Sequence, residues 1–337
     1  MTENIMENMT DKVIYDGSLE KVTHKDIFGA TIAELAACDK DVVYLDADLM
    51  NSSGTMKFWR SNPRQAVNCG VAEANMMGIA AGLSLTGKKP YVHSFGPFAS
   101  RRCYDQVFLS IGYSRNGVRI FGSDEGVTAA YNGGTHMPFE DMALMRAIPG
   151  STVLDASDGV VFRKLLFAVK DRPGVTYLRS TRKQFKAIYA ADADIQIGRA
   201  NVLREGADVT IIACGLMTGE AMAAHDILKS RGISARVVDM FTVKPVDSRI
   251  VAESARATGA IVTAENHNVI GGLADAVGAA LLAECASERG VPFERVGVFE
   301  EFGQVGPQDY LQEHYGLTAA NIAAAAERAV ARKRVRC

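Results

Sequence analysis

The chain has 337 residues, 48% of them hydrophobic and 23% charged, which suits a soluble globular protein of about two domains and excludes a mostly disordered chain. Its net charge is −2, a poor match for non-specific binding to nucleic acid or to a membrane surface. Six cysteines with no CxxC pair argue against a zinc ribbon or a small disulfide scaffold, so reduced thiols and a cytoplasmic setting are expected.

Residues 1–20 read as a polar tail, and 1–16 lack the apolar core of a signal peptide. No apolar run approaches the ~20 residues that span a bilayer. Apolar, β-branched runs follow at 42–45, 90–93, 118–121, 152–154 and 175–178. They alternate with helical patterns near 24–37, 72–86, 98–112, 139–147 and 157–170. Continuous apolar strands between amphipathic helices predict a parallel sheet covered on both faces. The alternation stops over 182–199, a polar stretch without periodicity that reads as a linker. It resumes with strands at 209–213, 235–239 and 260–264 and helices near 217–231, 248–258, 272–289 and 318–333. The expected fold class is therefore α/β, as two α/β domains over 21–190 and 195–335. The basic run at 331–337 reads as a solvated helix end.

Ligands of open α/β sheets gather beyond the carboxyl ends of strands. That rule selects the loops at 46–54, 69–75, 94–101 and 122–138. The first carries Asp46, Asp48, Asn51, Ser52 and Ser53, which by themselves describe a turn and a helix N-cap. In the second, Glu73 opens a helix, where an acid commonly serves the dipole or a cap. The third places Phe95 and Phe98 about a Gly-Pro turn; such rings pack in a core or sandwich a flat heterocycle. The fourth has Gly133-Gly134, which demands a special backbone, with His136 directly after it and Pro138 at a helix start. No dinucleotide fingerprint, phosphate-binding loop or nucleophile elbow is present.

Taken together, DADL at 46–49, GVAEANMMGIAAGL at 70–83, SFGPF at 94–98, GGTHMPFED at 133–141 and RAIPGSTVLDASD at 146–158 resemble the C-terminal half of transketolase. Lys244-Pro245, AENH at 264–267, GGL at 271–273 and VGVFEEFGQVG at 296–306 resemble the last domain of that family. The resemblance spans 21–335. It implies a pyrimidine-binding domain followed by a transketolase C-terminal domain, with thiamine diphosphate as cofactor. The implied reaction moves a two-carbon ketol unit from a ketose to an aldose. The GDG…N motif that holds the cofactor's diphosphate and a divalent cation, magnesium or calcium, is missing. The resemblance thus implies a split enzyme whose N-terminal partner subunit, of about 270–300 residues, supplies that site in a dimer of heterodimers. No metal ligand is implied in this chain.

By the same resemblance, Glu73 matches the glutamate that hydrogen-bonds the aminopyrimidine ring and sets up its imino group as internal base. Phe95 and Phe98 match residues lining the pyrimidine pocket, and Asp48 a carboxylate near it. Arg101 stands where some members place a pyrimidine-contacting tyrosine. His136 matches a histidine that contacts donor oxygens. There are departures. Tyr131 and Asn132 replace an acidic pair associated with recognition of substrate hydroxyls. Asp124 falls where the family places a phosphate-binding histidine. Lys25, Ser52, Arg179 and Arg182 are left as acceptor-phosphate ligands, and a modified sugar is the expected substrate. The β subunit of a 2-oxo acid dehydrogenase, a 1-deoxyxylulose-5-phosphate synthase-like chain and a non-catalytic interaction protein on a transketolase half are the alternatives.

Overall fold

A computed structural model describes residues 10–284 and 290–334. Residues 1–9 of the expected tail, Cys285, and Arg336 and Cys337 at the end of the basic run lie outside that range. The strands are β1 (Val42–Asp46), β2 (Ala66–Asn68), β3 (Lys89–Phe95), β4 (Val118–Ser123), β5 (Thr152–Asp155) and β6 (Val175–Ser180). The second half adds β7 (Asn201–Arg204), β8 (Val209–Ala213), β9 (Ala235–Asp239), β10 (Thr242–Lys244), β11 (Ile261–Asn268) and β12 (Phe293–Val298). Two sheets form, in the orders β10-β5-β6-β4-β3-β1-β2 and β12-β11-β8-β9-β7. Both are parallel except for β10 on β5 and β7 on β9.

The cause is visible in the burial. β1, β4, β5, β6 and β8 bury every residue, as strands must when helices cover both faces. The helix His24–Cys38 begins at Thr23, whose side chain accepts from the Asp26 N–H, and it packs Phe28, Ile32 and Leu35 inward. Parallel register sets Asp46 beside His93, Phe95 beside Ser123, and Ser123 beside Ser180. The carboxyl ends of β1, β2, β3 and β4 therefore lie on one edge, from which the four loops emerge, and β6 ends beside β4 on the same edge.

Three features depart from the expected elements. The segment 182–199 is not a free linker. Backbone bonds tie it to residues 14–24 (Ile14 N–H to the Ile188 carbonyl, Ala187 N–H to that of Ser18), and it buries Ile188, Tyr189, Ala193 and Ile195. The described part of the tail is thus a bound strap. β10, only three residues long, crosses from the second half to edge the first sheet. The helix expected over 98–112 is broken. The Ser100 hydroxyl donates back to the Gly96 carbonyl at 2.6 Å, the chain turns at Ser100 (φ −115°, ψ −92°), and wider π-type turns follow at Gln106–Tyr113.

One buried cation joins the two domains. Arg179, with no exposed surface, lies 2.7 Å from Asp141, 3.1 Å from Asp155 and 3.5 Å from Glu125, and donates to the Asn266 carbonyl at 2.7 Å. Burial and its neighbour Asp155 push the Glu125 pKa well up, against the pull of Arg179. Removing one partner of a buried charge group leaves the others uncompensated. Arg179→Met should cost about 3–5 kcal/mol in urea unfolding; a loss below about 1 kcal/mol would show that the cluster does not hold the domains together.

Candidate active site

Glu73 is the first residue of the helix Glu73–Leu85 and is only 2% exposed. The Ser94 hydroxyl donates to one carboxylate oxygen at 3.1 Å. Arg102 donates to both oxygens, at 3.2 and 3.1 Å. The same guanidinium lies 3.7 Å from the centre of the Phe98 ring, a cation–π contact. A flat, delocalised cation thus rests on an aromatic face with its N–H edge on a buried carboxylate. A flat heterocycle with a ring N–H has the same requirements, so the residues present fit an aminopyrimidine.

The His136 ring meets Phe98 at 4.9 Å and Phe95 at 5.4 Å, edge-on to both, and its Nδ1 pairs with the Thr135 hydroxyl at 2.9 Å. Burial, and then the charges of Arg102, Arg182 and Arg101, push its pKa below the ordinary 6.5, so the ring is neutral near pH 7. Arg182 stacks over Phe95 at 4.8 Å and places its Nε 2.5 Å from Asp124, which is wholly buried. Burial pushes the Asp124 pKa up, and Arg182 opposes that. The loop that carries these groups presses against the second domain. A Cβ on Gly126, whose φ is +44°, would fall 2.1 Å from the Asn266 Oδ1. Gly133, at φ +81°, makes the turn before His136; at both sites the left-handed backbone favours glycine.

The other expected site residues separate into groups. Arg101 is on the neighbouring rim rather than on Glu73: it pairs with Glu140 at 2.6 Å and donates to the Thr135 carbonyl at 3.1 Å, beside a cleft of about 730 Å³ that Phe302 also lines. The short turn Arg101–Cys103 aims Arg102 inward instead. Asp48 is exposed, at φ +65°, and accepts from Asn68 at 2.9 Å. Asn132 is exposed at the end of the turn Gly126–Asn132. Lys25 and Ser52 are half-buried, and the Lys25 N–H donates to the Arg182 carbonyl at 3.2 Å, which brings that helix end to the same edge. Arg179 is corrected outright, since its burial in the domain junction leaves it no surface to offer a phosphate.

Sequence spacing missed Arg102 and Ser94, because neither has a signal apart from its position. It also left Asp46 ambiguous. That carboxylate is structural: the Leu49 N–H and the Tyr44 hydroxyl donate to it, and His93 pairs with it at 3.0 Å. Two chains, Glu20–His24–Ser180 and Asp46–His93–Ser123, have the order of a nucleophilic triad. Both serines and both histidines are wholly buried, so these are internal props and not hydrolytic centres. The AENH and GGL motifs meet in a similar way: Glu265 accepts from the Leu273 and Ala274 N–H groups at 2.6 and 2.9 Å and caps their helix. Among the described residues no group of three metal-binding side chains occurs, and no helix is long and apolar enough to cross a membrane.

Residues 20–187 match the family model of the transketolase pyrimidine binding domain, and residues 198–322 match that of the transketolase C-terminal domain. The chain belongs to the transketolase family. It is 45% identical to the 6-deoxy-6-sulfo-D-fructose transketolase subunit of Clostridium sp. (strain MSTE9), over 96% of this chain and 99% of that one. It is 36% identical to an apulose-4-phosphate transketolase subunit of Phocaeicola vulgatus, over 88% and 93%. A solved structure described as a split gene transketolase, inactive beta4 tetramer, superimposes with a TM-score of 0.83 at 38% identity, over 93% of this chain and 99% of that chain. Mouse transketolase is 35% identical, but the match covers only 43% of its length. Transketolases are transferases that depend on thiamine diphosphate.

The arginines around His136 make a direct prediction. Its imidazole should titrate below pH 6.5 when followed by NMR, and Arg102→Gln should raise the midpoint by removing the neighbouring charge that acts on it most strongly. A midpoint above 6.5, or one that Arg102→Gln leaves in place, contradicts the geometry.

Proposed function

We propose that this chain is the C-terminal subunit of a two-chain, thiamine-diphosphate-dependent transketolase that moves a two-carbon ketol unit from a ketose to an aldose. The observation that carries the proposal is the slot formed by Glu73, Ser94 and Phe98, with His136 at its mouth. Relatives of nearly the same length are described as transketolase subunits, which supports the split arrangement. The partner is an N-terminal subunit carrying the diphosphate site and its magnesium or calcium ion, assembled as a dimer of heterodimers in the cytoplasm. The names of the relatives support a modified sugar as substrate.

When bound, the cofactor supplies the carbon nucleophile. This chain's residues bind and orient. Glu73 accepts the N–H of the aminopyrimidine ring, in the place where it now accepts from Arg102, and Ser94 fixes the carboxylate's rotation. Phe98 and Phe95 hold the ring's face and exclude water. Asp48 stands on the adjoining loop at the pyrimidine end. Neutral His136 offers a hydrogen bond to a substrate oxygen without adding charge, and Arg101 lines the rim. Asn132, Lys25 and Ser52 face the sugar.

Glu73→Ala, in the complex with the partner subunit, should lower turnover by about 10²–10⁴-fold and weaken thiamine diphosphate binding in calorimetry, with assembly intact. Asp48→Asn should lose far less. Unchanged turnover in Glu73→Ala would remove Glu73 from its role. Turnover of pyruvate with no ketose accepted would replace the transketolase reading with that of a 2-oxo acid enzyme.

A further inference from the structure

Three arginines lie close enough to lower the pKa of His136, and each has its own carboxylate: Arg101 with Glu140, Arg102 with Glu73, and Arg182 with Asp124. The cleft is therefore rich in N–H donors but has little excess positive charge. The third pair differs from the other two. Asp124 is wholly buried, and the groups that favour its anion most are the charge, the side chain and the backbone N–H of Arg182. The Arg182 side chain meets it through Nε, which is itself buried. The Arg182 side chain is nonetheless 28% exposed, so its exposure belongs to the part beyond that contact, over Phe95 and beside His136. His93, the other group whose charge would favour the Asp124 anion, is fully buried and bonded to Asp46 and Ser123.

A guanidinium backed by a buried carboxylate keeps its donors but loses its net charge toward an incoming group. Solvent and salt screen a buried carboxylate poorly, so an anion at Arg182 meets repulsion from Asp124 at short range. A singly charged or neutral group with several oxygens uses the donors and meets little of that repulsion. A phosphate monoester, doubly charged near neutral pH, meets twice as much.

We propose that Asp124 is a charge-selecting residue, setting the position beside Arg182 to accept a sugar terminus that is neutral or carries one negative charge, and to disfavour a phosphate monoester. The inference rests on the transketolase reading for the identity of the ligand as a sugar, and on the Asp124–Arg182 geometry for its charge.

The complex with the partner subunit is assayed with fructose 6-phosphate, with fructose and with the 6-sulfonate analogue of fructose, in the natural chain and in Asp124→Asn. The natural chain should favour the sulfonate or the free sugar over the phosphate, and Asp124→Asn should shift kcat/KM toward the phosphate by about tenfold or more. A natural preference for the phosphate, or a ratio that Asp124→Asn does not move, overturns the proposal. A second measurement does not need turnover. The full chain is titrated with inorganic phosphate and with methanesulfonate, and the Arg182 side-chain NMR signal is followed. Asp124→Asn should tighten phosphate by about fivefold or more and change methanesulfonate by less than about twofold; equal changes for the two anions overturn the charge selector. If no ketose is turned over by either chain while the titration behaves as expected, the transketolase reading fails and the selector stands.

Discussion

One guanidinium sealed among three carboxylates organises this molecule. Arg179 comes from β6 of the first sheet and reaches Asp155 on β5, Glu125 on the loop after β4, and Asp141 at the start of the helix Asp141–Ala147. Its remaining donor goes to the Asn266 carbonyl on β11 of the second domain. The loop carrying Asp124, Gly126 and His136 is therefore clamped at both ends by groups bound to one cation, and Asn266 grips its first turn, accepting from the Val127 N–H and donating to the Glu125 carbonyl, each at 3.0 Å. A buried arrangement of this kind adds little net stability, since desolvation offsets much of the attraction. What it supplies is position. His136 lies where it does because the domain junction allows the loop few other paths.

The same balance of charge recurs at the mouth of the site, where it has a chemical use. Three arginines crowd a neutral histidine, yet each has an acid partner. Cations near an imidazole hold it unprotonated, which keeps it able to hydrogen-bond without bringing a charge. Carboxylates beside those cations in turn keep the cleft from becoming a general anion trap. Burial separates the three pairs by role. Glu73 is enclosed and its arginine half-exposed; Glu140 and Arg101 are both accessible; Asp124 is enclosed beneath a partly open arginine.

Much of this was legible in the sequence, for identifiable reasons. Parallel strands buried on both faces must be continuous apolar runs, so β1, β3, β4, β6, β8 and β9 announce themselves. Glu73, Phe95, Phe98 and His136 stand at strand ends, where backbone direction alone gathers them. What escaped has equally physical causes. β10 and β2 are too short to show a period. The segment 182–199 hides its buried Ile188 and Tyr189 among polar residues that face solvent. Arg101 and Arg102 are neighbours, and only the break at Ser100 decides which one turns inward. Arg179 looked like a ligand because an arginine at a strand end often is one; its burial follows from three acids distant in sequence, which no local pattern reveals.

The state of Glu73 explains how the chain holds a buried acid at the slot proposed above for the cofactor. A carboxylate only 2% exposed and left alone would be costly, because burial removes its hydration. Arg102 removes that cost from within the chain, and Phe98 gives the guanidinium a face to rest on. Arg102 is itself 46% exposed, so leaving this position returns it to water at little expense. A flat heterocycle entering from solvent exchanges one set of contacts for an equivalent set: an N–H on the carboxylate and a ring on Phe98. On the proposed function, Arg102 satisfies the slot from within the chain, and an exchange with an aminopyrimidine falls on a side chain at the surface rather than on the buried acid.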